Sequence, residues 1–173
     1  FNFFHITLFN NMKKIKVFIV AIISIITLTY SFKENINNMK ITAKEILGNK
    51  DYPAISYGGY RKISRDLQPT IDEIKEDLKI LSAVGYRVLR TYNVHFEHAS
   101  NVLKAIKELK NENDRFEMYL MLGIWIDCKD AWTGNPNHSE EDLKKNTLEV
   151  NEAVRLANQY PEIIKILAVG NEA

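Results

Sequence analysis

Short apolar runs alternate with amphipathic stretches along the chain from Pro53 onward. The apolar runs cover residues 54–57, 86–92, 116–126 and 163–169. The third run is nearly continuous in apolar residues, which is typical of a strand that is buried on both faces. Strands separated by helices pair in parallel through right-handed crossovers. The pattern therefore predicts a parallel sheet built from strand–helix units.

The helix between the first two strands has the clearest signature. Its apolar residues recur at spacings of three and four, which places them on one helical face; they are Ile71, Ile74, Leu78 and Leu81. Thr70 and Glu73 form a capping-box pattern, in which the hydroxyl and the carboxylate bind free backbone N–H groups of the first turn. Gly85 then supplies a residue that adopts the left-handed conformation at a helix end.

The same periodicity predicts two further helices. The helix after the second strand carries one apolar stripe, formed by Val102, Leu103, Ile106 and Leu109. The helix after Ser139 repeats its stripe at Leu143, Thr147, Val150, Val154 and Ala157. It is expected to end at Tyr160, because the residue before a proline avoids helical geometry.

Strand spacing favours a closed barrel over an open sheet. The predicted strands begin at Ala54, Tyr86, Met118 and Ile163, which lie 32, 32 and 45 residues apart. A (β/α)8 barrel of about 250 residues has roughly 31 residues per unit, and the longest step contains a long loop, 127–138. A doubly wound open sheet is the alternative, but the first turn, 57–60, lacks the G-x-G-x-x-G phosphate loop. We therefore predict an α/β fold, in which the chain supplies roughly the first four units of a TIM barrel.

The amino-terminal part of the chain has the pattern of a targeting segment rather than of a strand–helix unit. Residues 1–32 contain no acidic residue, and Met12, three lysines and the apolar run 17–28 resemble the first two regions of a signal peptide. We interpret 12–31 as a signal peptide, 1–11 as a non-native upstream segment and 32–52 as a lead-in to the catalytic domain, 53–173. A start at Met12 predicts a secreted or periplasmic protein, whereas a start at Met39 predicts a cytoplasmic one. The alternative is that residues 12–31 form an uncleaved membrane anchor, which would be the only contact of the protein with a membrane.

Composition excludes several classes of protein. The 173 residues carry 23 basic and 22 acidic side chains, and this balance argues against nucleic acid as a partner. A single cysteine, Cys128, forms no internal disulfide and is interpreted as an unreactive thiol without a histidine partner. His95, His98 and His138 show no metal-ligand spacing and are interpreted as surface or loop residues, so neither metal nor cofactor is predicted. Because the chain begins with phenylalanine and stops after an apolar run, we expect a fragment.

Candidate chemistry gathers where the strands end. The ends carry aromatic, amide, guanidinium and carboxylate groups, namely Tyr57, Arg90, Tyr92, Trp125, Asp127, Asn171 and Glu172. Barrel enzymes place their active sites at the carboxyl ends of their strands. Aromatic faces beside polar groups suit the binding of a sugar ring. Trp132, in the long loop, either stacks on a sugar or fixes the loop, and Asp127 either binds a sugar hydroxyl or caps the loop. Glu172 is either a catalytic acid or a residue that caps the next helix or pairs with Arg90.

Four motifs in order resemble glycoside hydrolase family 17, the β-1,3-glucanases and related glucanosyltransferases. They are Tyr57-Gly58, Arg90-x-Tyr92, Leu122-Gly123-Ile124-Trp125 and Val169-Gly170-Asn171-Glu172. The resemblance implies a retaining (β/α)8 glycosidase acting on β-glucan, in which Glu172 is the general acid/base and Asn171 binds the hydroxyl at sugar carbon two. It also implies that Arg90 lies beneath the nucleophile and that Tyr57 and Tyr92 line the cleavage subsite.

The family nucleophile is a glutamate that ends the seventh strand, and the sequence printed here contains no such strand. We therefore expect this chain to represent the amino-terminal half of the barrel and to be inactive by itself. Two alternatives stay open for the parent protein. One is a β-1,3-glucanosyltransferase, and the other is a non-catalytic glucan-binding barrel with the same aromatic rim. The resemblance leaves the oligomeric state open.

Overall fold

The structure is a computed structural model that describes residues 41–170 together with Ile22. The chain divides into two units, Phe1–Ile41 and Thr42–Ala173, and the description below concerns the second unit. Apart from Ile22, the predicted upstream segment 1–11 and signal peptide 12–31 lie outside the described residues, as do Asn171 and Glu172. Among the residues described, no helix is both long enough and apolar enough to span a membrane.

Helices and strands alternate through the described part of the second unit. In chain order they are α1 (Ala43–Ile46), β1 (Ala54–Ser56), α2 (Ile71–Ala83), β2 (Val88–Arg90), α3 (Glu97–Glu112), β3 (Tyr119–Ile124), β4 (Cys128–Lys129), β5 (Asn137–Glu141), α4 (Leu143–Gln159) and β6 (Ile164–Val169). Each of the four predicted apolar runs contains one strand of the main sheet.

The main sheet has the order β1-β2-β3-β6, and all its pairs are parallel. Leu89 pairs with Ile55 on one side and with Leu120 on the other, and all three belong to or border the apolar core. Because the strands are parallel, their carboxyl ends meet at a single edge of the sheet. The predicted α/β class is confirmed, and the arrangement is compatible with part of a (β/α)8 barrel.

The long loop predicted at 127–138 contains regular structure. Its two ends form β4 and β5, which pair as an antiparallel hairpin with Cys128 opposite Glu141 and Lys129 opposite Asn137. A salt bridge of 2.7 Å between Lys129 and Glu140 joins the same two strands. Strands this short and polar leave no hydrophobic periodicity, which is why the sequence pattern predicted a loop.

The first two predicted helices are confirmed in detail. The Glu73 N–H donates to the Thr70 hydroxyl at 3.3 Å, and the Thr70 N–H donates to the Glu73 carboxylate at 2.8 Å, which completes the capping box. Gly85 follows α2 with a φ of +102°, in the region that glycine tolerates best. In α3 the predicted stripe is buried against the sheet; its members Val102, Leu103, Ile106 and Leu109 are at most 3% exposed.

The third helix, α4, forms as predicted but buries a different face. Most of its predicted stripe faces outward: Leu143 is 65% exposed, Val150 39% and Val154 49%, and Thr147 is exposed as well, whereas Ala157 is half-buried and packs against the core. The buried face consists of Asn146, Glu149, Ala153 and Leu156. The two stripes are offset by one residue, or about 100° around the helix axis. Ala153 and Leu156 pack on the core, whereas the two polar residues bind the ends of the sheet, a role that hydrophobic periodicity does not reveal.

Strands β2 and β3 lie unusually close together beyond their last pair. The buried N–H of Gly123 donates to the Thr91 hydroxyl at 3.2 Å. A Cβ atom at Gly123 would lie 2.2 Å from the Thr91 carbonyl oxygen and 2.7 Å from the Tyr92 Cα. Glycine is therefore required for the chain after β2 to cross over β3, and this crossing sets the position of Tyr92.

Candidate functional site

A cavity of about 980 Å³ opens at the carboxyl edge of the main sheet. Its walls come from the loops after β1, β2 and β3 and from α4. The lining includes Tyr60, Tyr92, Asn93, His95, Phe96, Trp125, Asp127, Trp132, Asn146 and Glu149. Four of the predicted substrate-binding residues, Tyr92, Trp125, Asp127 and Trp132, are thus brought together around one cavity. Its size falls within the range of ligand sites in proteins.

Two indole rings form one wall of the cavity, and one carboxylate holds both. The Trp125 indole N–H donates to Asp127 Oδ1 at 2.6 Å, and the Trp132 indole N–H donates to Oδ2 at 3.0 Å. The ring centroids lie 5.8 Å apart with an interplanar angle of 31°. Trp132 is 72% exposed, so its bond to Asp127 and its contact with the Trp125 ring orient a largely exposed side chain. Asp127 and Trp132 therefore fix the loop, as one of the two interpretations expected, and both also line the cavity; their contact with a sugar stays a prediction.

The main chain of Asp127 is held from α4. The Asp127 N–H donates to Asn146 Oδ1, and Asn146 Nδ2 donates back to the Asp127 carbonyl, both at 2.9 Å. The N–H of Asp142, the residue that caps α4, donates to the same carbonyl at 3.0 Å. A side-chain amide carries an acceptor oxygen and a donor NH2 group side by side, and so can satisfy an N–H and a C=O of the same residue. The indole wall is thereby tied to a helix rather than to a loop.

Tyr57 occupies a different place from the other predicted residues. It is buried, 7% exposed, and its hydroxyl donates to Asp77 on α2 at 2.8 Å. Arg61 binds the same carboxylate through two N–H groups and so ties the loop after β1 to α2. Burial and the bond to Asp77 raise the pKa of the Tyr57 hydroxyl. Tyr57 is not among the cavity-lining residues, whereas its neighbour Tyr60, which was not predicted, is.

Arg90 and Tyr92 lie side by side at the end of β2. The Arg90 guanidinium carbon lies 5.7 Å from the centroid of the Tyr92 ring, within the range of a cation–π interaction. Arg90 is half-buried and precedes the cavity-lining residues of this loop. The other two predicted catalytic residues, Asn171 and Glu172, lie outside the described residues. They follow Gly170 directly, and the Gly170 N–H donates to the Ile124 carbonyl at 3.0 Å.

All three histidines interpreted as surface or loop residues have specific contacts. His98 is buried, 4% exposed, and its ring lies between Tyr57 and the cavity residue Tyr60 with centroids 5.6 and 5.8 Å away. His95 lines the cavity, and its Nδ1 lies 3.0 Å from Glu149. His138 lies on the hairpin with its Nδ1 3.6 Å from the Cys128 sulfur, so this thiol has a histidine neighbour that spacing did not predict. The surface interpretation was wrong for His98.

Buried His98 is expected to make the protein less stable in acid. Burial lowers the pKa of His98 from 6.5 to about 4, against a weaker opposing effect of the Gly58 backbone. Between these two values the unfolded chain binds more protons than the folded one, so stability falls as the pH falls through that window, by up to about 3 kcal/mol. Urea unfolding of the full-length protein at about pH 7.5 and about pH 4.5 measures the difference.

His98→Gln should remove most of this pH dependence, because the amide does not titrate. His138→Gln, a change on the exposed hairpin, is the matched control. Equal pH dependence in wild type and His98→Gln would contradict the assignment.

Within residues 41–170, no group of three or more histidine, cysteine, aspartate or glutamate side chains is arranged to hold a metal ion. The described part of the cavity offers aromatic faces, amides, an imidazole and carboxylates, together with the cationic side chains of Arg65 and Lys145.

The sheet and the cavity together define an α/β protein with a cavity at the carboxyl edge of parallel strands, the location at which (β/α)8 enzymes place their active sites. The described fold is similar to a solved structure, the crystal structure of an endo-laminarinase from Formosa Hel1_33_131, with a TM-score of 0.74 and 63% sequence identity. The match covers 77% of this chain and 34% of that one, so this chain spans about a third of the length of the laminarinase structure. No protein-family profile and no curated protein matches the chain.

Proposed function

We propose that this chain belongs to a retaining glycosidase that hydrolyses β-1,3-linked glucan internally. The observation that carries the proposal is the 63% identity to an endo-laminarinase over 77% of the chain. Glycoside hydrolase family 17 is the family whose motifs fit, and the proposed enzyme needs neither metal nor organic cofactor.

The described cavity supports a sugar substrate. Trp125 and Trp132 present indole faces on which the apolar C–H faces of glucose rings stack, and Tyr92 contributes a third aromatic group. Asp127, Asn93 and Asn146 place polar atoms in the same walls, as hydroxyl recognition requires.

The proposed reaction is a double displacement. Glu172, at the end of the fourth parallel strand in the sequence, protonates the leaving glycosidic oxygen and later removes a proton from water. Asn171 binds the hydroxyl at sugar carbon two, and Arg90 keeps the nucleophile ionised. The nucleophile is a second glutamate outside this sequence, on the seventh strand of the parent barrel. Tyr57 then contributes through its bond to Asp77, which fixes the loop that carries Tyr60.

Hydrolysis of laminarin by the full-length protein tests this proposal. We expect new reducing ends to appear with laminarin and not with cellohexaose, a β-1,4-linked control, and the first products to have the β configuration at the anomeric carbon. Products longer than the substrate at high oligosaccharide concentration would identify a glucanosyltransferase instead. Binding of laminarin without cleavage would identify a glucan-binding barrel, and α-configured first products would contradict the retaining mechanism.

A further inference from the structure

Glu149 on α4 is a buried carboxylate that lines the cavity. It is 4% exposed, and its two oxygens have different partners. Oε1 accepts the backbone N–H of Val94 at 2.7 Å and that of Trp125 at 3.0 Å. Oε2 lies 3.0 Å from Nδ1 of His95. A buried carboxylate is costly unless hydrogen bonds replace its hydration, and here three donors do so.

These partners lie on two different strand ends. Val94 and His95 follow β2, whereas Trp125 follows β3. One side chain on a helix therefore fixes the distance between the two loops that carry Tyr92 and the indole wall. Neither backbone N–H takes part in the ladder of the main sheet, so the Glu149 carboxylate supplies an acceptor that the strands do not.

The bond to His95 also fixes the chemistry of the imidazole ring. A carboxylate only accepts hydrogen bonds, so Nδ1 carries a proton and Nε2 of the neutral ring is an acceptor. The His95 side chain is 49% exposed and lines the cavity, and its ring packs on Phe96 with centroids 4.3 Å apart. Glu149 and Phe96 fix the orientation of the His95 ring. Nε2 is then the ring atom available to accept a hydrogen bond from a hydroxyl group.

We propose that Glu149 is a positioning residue that holds His95 in the tautomer and orientation needed to accept a hydrogen bond from a sugar hydroxyl. This inference rests on the proposed function, because it takes the ligand of the cavity to be a polyhydroxylated sugar. His95 contacts the substrate directly, and Glu149 acts through His95 and through the backbone of Trp125.

Glutamine at position 149 separates the two actions of this residue. Its carbonyl oxygen takes the place of Oε1 and keeps both backbone bonds, whereas its NH2 group replaces Oε2 and donates instead of accepting. In Glu149→Gln both backbone hydrogen bonds are therefore kept, and only the hydrogen bond to His95 changes its direction. Glu152→Gln is the matched control, because the same change occurs one turn away on the same helix, at a carboxylate that pairs with Arg155.

The first measurement is the tautomer of the neutral His95 ring, read from nitrogen-15 NMR of the full-length protein. We expect the Nδ1–H form in wild type and in Glu152→Gln, and the Nε2–H form in Glu149→Gln. The Nε2–H form in wild type, or no change in Glu149→Gln, would overturn the assignment. This readout needs no substrate, so it tests the role of Glu149 even if no β-glucan is cleaved and the proposed function fails.

The second measurement is a double-mutant cycle on laminarin cleavage. His95→Phe and Glu149→Gln are each expected to lower kcat/KM about tenfold, as for one lost hydrogen bond. The double variant should be no worse than either single one, because both changes remove the same contact. Losses that multiply to about a hundredfold would overturn the proposal. So would an unchanged kcat/KM in Glu149→Gln accompanied only by a lower urea midpoint.

Discussion

Replacing Glu172 by glutamine in the full-length protein is expected to lower kcat for laminarin by about 10²- to 10⁴-fold while leaving laminarin binding intact. The range is the usual contribution of a general acid or base. The amide has nearly the shape of the carboxyl group but no proton that it can transfer to the glycosidic oxygen. Initial rates from reducing-end assays and Kd values from calorimetry measure the two effects separately.

The chemistry of the leaving group tests the acid role of Glu172 more sharply than the rate alone. The phenolate of an aryl glucoside with an acidic phenol leaves without being protonated. We therefore expect Glu172→Gln to slow the first step much less with that substrate than with laminarin. Glu108→Gln, an isosteric change on the exposed side of α3 where Glu108 pairs with Lys75, serves as the control. Equal losses on both substrates, or wild-type rates on laminarin, would refute the assignment of Glu172 as the acid.

Gly123→Ala is expected to destabilise the full-length protein by about 4 kcal/mol or more, beyond the 1–3 kcal/mol that overpacking typically costs. The added methyl group would lie 2.2 Å from the Thr91 carbonyl oxygen and 2.7 Å from the Tyr92 backbone. Backbone atoms cannot move aside as a flexible side chain can, so β2 and β3 would have to separate. Urea unfolding followed by far-ultraviolet circular dichroism measures the loss.

Gly134→Ala provides the matched control, because no atom lies within 4 Å of the Cβ that this change adds. We expect the unfolding midpoint of Gly134→Ala to stay close to that of wild type. A Gly123→Ala variant as stable as Gly134→Ala would show that the strands do not approach as closely as described. Because Tyr92 follows the crossing, a folded Gly123→Ala protein should also bind laminarin more weakly.

Most of the main sheet could be predicted from hydrophobic pattern alone. The four parallel strands lie within the four apolar runs, and α2 begins at the capping box of Thr70 and Glu73. These elements bury apolar side chains, so the spacing of apolar residues along the sequence indicates the strand or helix. The hairpin of β4 and β5 could not be predicted in this way, because its pairing depends on backbone bonds and on the ion pair between Lys129 and Glu140.

The candidate site could be predicted only in part, for a related reason. Tyr92, Trp125, Asp127 and Trp132 follow strands and therefore stand out at the edge of the sheet. Asn146 and Glu149 lie within the first two turns of α4, and a glutamate or asparagine in a helix ordinarily indicates a solvent-exposed face. Their role depends on which loop each meets in three dimensions. Asn146 and Glu149 continue the face of Ala153 and Leu156 at spacings of three and four. This second stripe is the sequence signal that indicates an inward polar face.

The inward polar face of α4 has a consequence for engineering this protein. Design rules that raise thermal stability would replace Asn146 and Glu149 by leucine or methionine and would exchange the exposed Val150 and Val154 for charged residues. The second change leaves the cavity untouched, whereas the first removes the acceptors that hold Val94, Trp125 and Asp127. The helix therefore carries a trade-off between stability and activity that is confined to one of its faces.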